Sequence, residues 1–340
     1  MTGEPARRAG DGGRRGRVLN TPLIAPDAVK GSTKFGAARL SLVSNSVLIT
    51  LKVVAGAVTG SIAIITEAVH SSIDLLASIV AYLSLRKADE PADAEHQYGH
   101  AKAENLAAAI EGMLILVGAG VIVYESSRRL ATSGEIENIG FGIGVIAISA
   151  VVNLLVSTYL YRQARAHDSP ALEGDAAHLR ADAATSLAVL LGLVLIEVTG
   201  FEQLDSIVAL MVASAIVYTG VRILSRSSRV LMDEALPQDE LDVVRKLIAD
   251  YPGPELEGFH KLRGRRAGSA RYIDLHLQFT AGTSLERAHA VAHELQADVR
   301  QRIPAADLLV HIEPSRAGGA RPGSLRDFGE SDGRHLREEG

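Results

Sequence analysis

Apolar positions are unevenly spread along this chain. Long apolar runs fill the first two thirds, and the last third mixes apolar and polar residues as a soluble domain does. Six stretches, near residues 37–59, 62–85, 103–126, 138–162, 176–199 and 203–225, approach the ~20 mainly apolar residues that a bilayer-crossing helix needs. The pattern predicts a membrane α-helical bundle of six transmembrane helices over 37–228. Asn45, Ser46 and Lys52 interrupt the first stretch and Asn153 the fourth. Such residues face a bundle interior or snorkel to an interface, and snorkelling is the expectation for Lys52.

The remainder, 229–316, reads as a small α/β domain. Asp239 to Asp250 has a helical pattern. "GFHKLRGRRAGS" and "ARYIDLHLQFT" read as two strands joined by a glycine-containing turn. Ser284 to Ile303 reads as a helix capped by Thr283 or Ser284, and "ADLLVHIEP" as a third strand. The order αββαβ suggests an open α/β sandwich. Ile273, Leu275, Leu277 and Phe279 alternate with Tyr272, Asp274, His276 and Gln278, so His276 belongs on the polar face. Residues 1–36, basic and Gly-rich, and 317–340, charged and Gly-rich, read as disordered tails. The first of these has no apolar core at signal-peptide distance.

Composition narrows the chemistry. The chain contains no cysteine, which excludes disulfides and thiolate metal sites; any metal must take nitrogen and oxygen ligands. The net charge of -5 gives no reason to expect nucleic acid. Basic residues set an orientation. Arg7, Arg8, Arg14, Arg15, Arg17, Lys30 and Lys34 precede the first stretch. Arg86, Lys87 and Lys102 follow the second, and Arg162 and Arg165 the fourth. The turns "GAVTGS" and "EVTGFEQ" on the other side carry none, and only Arg128 and Arg129 argue the other way. Both termini are therefore expected in the cytoplasm, with the protein multi-pass in the cytoplasmic (inner) membrane.

Two helices carry paired ligand types. "TEAVHSSIDLLASIVAYL" places His70 and Asp74 on one helix face, and "HLRAD" places His178 and Asp182 at the same spacing. One such pair would pass for a polar contact near a helix end. Two pairs supply two imidazoles and two carboxylates, a donor set that suits tetrahedral Zn²⁺, whereas carboxylates alone favour harder ions. No water-activating base or substrate-cleft motif accompanies them, so an enzyme is not expected. Four tight ligands would hold an ion rather than pass it, which disfavours a channel. His260, His276, His289, and His311 with Glu313 fall in the C-terminal domain, the last two on one face of a strand. Together they could hold one or two metals.

These motifs, with "DAEHQYGHAKAE" between the second and third stretches, resemble the cation diffusion facilitator family of metal-cation/proton antiporters. The likeness runs from about Gly36 to Pro314. It implies a divalent cation efflux transporter working by alternating access, with His70, Asp74, His178 and Asp182 as the transport site, and its HxxxD form resembles the zinc-type members. It implies a second metal site at Asp93, His96 and His100, and an interlock between Lys102 and Asp233, whose opposite charges suit a salt bridge. It implies a metallochaperone-like C-terminal domain that forms a homodimer and binds zinc through His260, His276, His289, His311 and Glu313, the last standing where Asp is expected; His293 is a further candidate. Similar motifs are also linked with cobalt, cadmium, iron or manganese, and a non-transporting metal-sensing subunit is the alternative of another class. The segment "YRQARAHDSPALEG" lacks a His-rich run, as bacterial-type members do.

Overall fold

A computed structural model describes residues 28–59, 62–132, 142–201 and 203–315. The expected tails fall largely outside these residues. The described chain forms α1 (Ala28–Thr59), α2 (Ile62–Ala88), α3 (Lys102–Thr132), α4 (Gly142–His167), α5 (Pro170–Thr199), α6 (Gln203–Leu231), α7 (Gln238–Ala249), β1 (Leu256–Ala267), β2 (Ala270–Phe279), α8 (Leu285–Arg302) and β3 (Ala306–Pro314). Segments Thr33–Ala55, Lys102–Arg128 and Ser206–Leu231 are long and apolar enough to cross a membrane by length and composition.

The helices pack where side chains are small. A Cβ on Gly112 of α3 would lie 3.0 Å from the Leu224 backbone nitrogen of α6. A Cβ on Gly220 of α6 would lie 2.9 Å from Leu116 of α3. Glycine at both contacts lets these two backbones approach closely. Around α4 and α5, Leu160, Ala176 and Leu179 are buried, and Ser157 donates to the Ala176 carbonyl at 2.7 Å.

Two details depart from the sequence reading. The first helix begins at Ala28, inside the stretch expected to be a tail. Lys34 is buried and its Nζ lies 3.1 Å from Glu104 Oε1 on α3, so a buried ion pair anchors the early turns of α1. Lys52 does not snorkel. It is buried and donates to Ser71 Oγ on α2 at 2.6 Å, because a hydroxyl within reach across the helix interface satisfies the ammonium locally.

The C-terminal domain has the expected αββαβ order, with strand order β1-β2-β3. β1 and β2 pair antiparallel, and β2 and β3 parallel across α8. Helix α8 starts at Ser284, whose hydroxyl accepts from the Arg287 amide at 3.2 Å. Ile273, Leu275, Leu277 and Phe279 are buried against Val244 of α7 and Val291 and Leu295 of α8, so one sheet face is the core. The alternating partners, His276 among them, occupy the other face.

The two parts of the molecule meet around the start of α3. Asp233, in a left-handed conformation (φ 60°), accepts from Lys102 Nζ at 2.8 Å and from Arg265 Nη1 at 2.8 Å. Arg265 of β1 thus shares Asp233 with Lys102. The turn between β1 and β2 presses onto α3: the Gly268 amide donates to Asn105 Oδ1 at 2.8 Å, with φ +56°. A Cβ at Gly268 would sit 2.6 Å from the Ala101 carbonyl oxygen. Arg271 of β2 is held by Asp168 at 2.7 Å and Glu240 at 3.0 Å.

Gly268→Ala should therefore loosen this docking by about 1–3 kcal/mol, seen as earlier thermal release or faster proteolysis between α6 and α7. Unchanged release would mean the turn adapts. Hydrogen bonds from Lys102 and Arg265 hold Asp233 below the usual carboxylate range. A depressed acid contributes its stabilisation above its unfolded pKa and loses it as pH falls through the folded value. Docking followed by a distance label between the domains should stay constant from neutral pH down to about 4 and loosen only below it. Loosening near pH 6 would assign the junction to another group.

Candidate metal centres

The helical periodicity places Asp74 on α2, and His178 and Asp182 on α5, at one interface. His178 Nε2 lies 3.2 Å from Asp74 Oδ1 and 3.9 Å from Asp182 Oδ2. One ligand atom from each residue falls within 4.8 Å of the others. Asp74 and His178 are buried and Asp182 is partly so. His178 Nδ1 is buried with no hydrogen-bond partner among the described residues. His70 lies on α2 one turn before Asp74, and its side chain is outside the described ones. An imidazole beside two carboxylates is a nitrogen and oxygen donor set that a dication can take once His178 Nε2 gives up the proton it shares with Asp74.

One turn toward the C-terminal domain lies a polar layer that sequence reasoning missed apart from Asn45. Ser78 Oγ receives the Asn45 amide at 2.7 Å, meets Ser41 Oγ at 3.0 Å and donates to Asp175 Oδ1 at 3.2 Å. Glu111 of α3 is fully buried, with no partner for either carboxylate oxygen among the described residues. It lies within electrostatic reach of Asp175, His178, Asp182 and Asp74. Two further carboxylates within apolar helices, Glu111 on α3 and Asp175 on α5, are the signal the sequence offers.

The loop between α2 and α3 gathers Asp93, His96 and His100, again with ligand atoms within 4.8 Å. The backbone amides of His96 (2.6 Å) and Glu95 (2.9 Å) donate to Asp93 Oδ1, and the first of these chiefly holds Asp93 below the usual carboxylate range. His100 is buried, with Nδ1 3.4 Å from the Glu90 carbonyl oxygen and Nε2 3.2 Å from Asp93 Oδ2. The tautomer that donates from Nδ1 leaves the Nε2 lone pair directed at the loop, as a ligand position requires.

In the C-terminal domain, strand register aligns three histidines. His260 of β1 faces His276 of β2, which faces His311 of β3. Ring centroids are 5.0 Å apart for the first pair and 4.5 Å for the second. Glu313 Oε1 lies 2.5 Å from His260 Nε2, and Oε2 lies 3.3 Å from His276 Nδ1. Burial alone would push Glu313 up, but donors on His276, Gln278 and His260 outweigh it and hold the carboxyl below its usual range. The longer side chain thus reaches the pair that Asp was expected to serve. His289 is not brought to this row within one chain. It lies on the exposed side of α8, the helix that covers the opposite sheet face, with its Nε2 3.0 Å from that of His293.

Paired ligands on two bundle helices, and a histidine row on a three-stranded sheet behind them, define a metal-handling membrane protein. The family profile for the cation efflux transmembrane domain matches residues 38–232, and that for the cation efflux protein cytoplasmic domain matches 236–315. The cation-efflux pump FieF of Serratia proteamaculans is 34% identical over 269 residues, covering 79% of this chain and 89% of that protein. FieF of Yersinia enterocolitica is 33% identical, covering 82% and 92%. An uncharacterized transporter of Synechocystis sp. is 33% identical, covering 78% and 85%. Among solved structures, a zinc form of CzrB matches at 30% identity and TM-score 0.23, covering 24% of this chain and 93% of that one. This chain belongs to the cation diffusion facilitator family. It is a multi-pass membrane protein and a cation efflux transporter, not an enzyme.

Glu313→Gln should weaken Zn²⁺ binding to the full-length protein's C-terminal domain by about tenfold or more, read by calorimetry with a metal-competing dye. Equal affinity would remove Glu313 from the donor set.

Proposed function

We propose that this chain exports a divalent transition-metal cation, foremost Zn²⁺, across the inner membrane in exchange for protons. The carrying observation is the buried cluster of Asp74, His178 and Asp182 across α2 and α5. Two imidazoles, His70 included, and two carboxylates give the borderline-soft donor set that favours Zn²⁺ over Mg²⁺ or Ca²⁺. In this reading α1 to α6 are six membrane spans over 37–228, both termini are cytoplasmic, and 229–316 is the cytoplasmic domain.

The cation enters from the cytoplasmic side and displaces protons, because the ligands bind only when deprotonated. His178 then exchanges its contact with Asp74 for the cation. The helices rock, the site opens outward, and protons from outside return to the imidazoles and carboxylates and release the metal. Asp93, His96 and His100 load the cation near the mouth. His260, His276, His311 and Glu313 hold zinc on the sheet, joined by His289 of the domain across a homodimer, and so favour the transporting arrangement. Lys102 and Asp233 tie that domain to the bundle.

The test is flux into proteoliposomes under an imposed pH gradient, with Zn²⁺, Cd²⁺, Co²⁺, Mn²⁺ and Fe²⁺ in parallel. Zn²⁺ flux should follow the gradient and fall about tenfold or more in Asp182→Ala, since losing a ligand costs at least as much as losing a residue that orients one. Flux of another ion reassigns the metal. Binding without flux of any ion would make the chain a sensor.

A further inference from the structure

A cavity of about 1100 Å³ opens where α4, α5 and α6 meet the C-terminal domain. Its floor includes Pro237 and Arg266 of that domain, and its far wall is apolar, formed by Ala181, Val212 and Ile216. Around its mouth stand several arginines. Arg226 is paired with Glu173 at 2.7 Å, Arg229 with Glu234 at 2.9 Å, and Arg266 with Glu240. Arg165, Arg180 and Arg222 also line it and have no carboxylate at ion-pair distance among the described residues. Two of these three converge on one ring: the guanidinium carbon of Arg180 lies 4.5 Å, and that of Arg165 5.1 Å, from the centroid of Tyr161.

Two guanidinium groups on one tyrosine, with a third lining the same cavity, repel one another unless an anion intervenes. A cation–π contact offsets part of that repulsion and leaves the outward N–H donors unsatisfied. The donors of arginine suit a phosphodiester, which they hold bidentately. The rest of the cavity selects among anions. A free phosphate would fill a small part of the volume and leave the alanine, valine and isoleucine wall in water. An acyl chain covers that wall, and a basic pocket between helices at the cytoplasmic face is where anionic headgroups are drawn.

We propose that this cavity binds one anionic phospholipid of the cytoplasmic leaflet, its phosphodiester between Arg165, Arg180 and Arg222 and an acyl chain along Ala181, Val212 and Ile216. The site is separate from the metal clusters, although Arg180 lies on α5 between His178 and Asp182 and points to the lipid site. A bound headgroup would bridge α4, α5 and α6.

The test is native mass spectrometry of the full-length protein released from nanodiscs of equimolar phosphatidylglycerol and phosphatidylcholine. Wild type should retain one phosphatidylglycerol per chain in strong preference to phosphatidylcholine. In R165Q/R222Q that preference should fall on the order of thirtyfold, while Zn²⁺ binding is kept. Ala215→Trp, which fills the cavity from α6 and leaves every arginine in place, should lose retention of both lipids. Equal retention of the two lipids by wild type overturns the proposal, as does a preference that survives R165Q/R222Q. Displacement of the lipid by millimolar inorganic phosphate assigns the arginines to free phosphate and also overturns it. If R165Q/R222Q does not fold, the Ala215→Trp result decides: continued retention of phosphatidylglycerol places the lipid elsewhere and sinks the idea.

Discussion

The bundle is organised by the cost of keeping charge away from water. A carboxylate or ammonium within an apolar helix layer costs several kcal/mol unless something nearby compensates it. Lys34 meets Glu104, Lys52 meets Ser71, Asp74 meets His178, and Asp175 takes a hydrogen from Ser78. Each contact joins two helices, and all but Lys52–Ser71 join helices that are not consecutive in the chain, so the demand for compensation also fixes which helices are neighbours. The Asp74–His178 contact differs from the rest because both its members are ligand types. A dication bound there would replace one compensating arrangement with another.

The C-terminal domain solves a different problem with the same residue type. Its histidines lie on a sheet face that packs no core, so their rings stay accessible. Register does the positioning. Antiparallel pairing on one side of β2 and parallel pairing on the other bring His260 and His311 to the two flanks of His276. The adjacent row sets Glu313 beside Gln278, one step along, where its carboxylate spans back to two imidazoles.

Much of this was legible in the chain. Helical spacing of four put His178 and Asp182 on one face, and strand alternation put His276 opposite the core, because both periodicities follow from backbone geometry alone. What escaped depended on partners that no local pattern reveals. The inward turn of Lys52 required knowing that Ser71 stands across from it. The start of α1 at Ala28 depends on Glu104, far along the chain. Arg265 joined Lys102 at Asp233 because of how the sheet docks, and Glu111 became a buried carboxylate only once α3 and α5 closed on it. His289 was grouped with the strands by likeness of sequence, whereas α8 carries it on the other side of the sheet within one chain.

The glycines at 112 and 220 have a mechanical consequence. They clamp α3 to α6 closely enough that these two helices act as a single shaft. One end of that shaft reaches the junction, α3 beginning at Lys102 and α6 ending at Leu231, two residues before Asp233. Asp74, His178 and Asp182 all stand on other helices. A torque applied to the C-terminal domain at Asp233 is therefore delivered to a part of the bundle that supplies none of these ligands. It can reach α5 by two routes, through the close approach of Gly174 to Glu111 on the shaft and through Arg271, which holds Asp168 just before α5 begins.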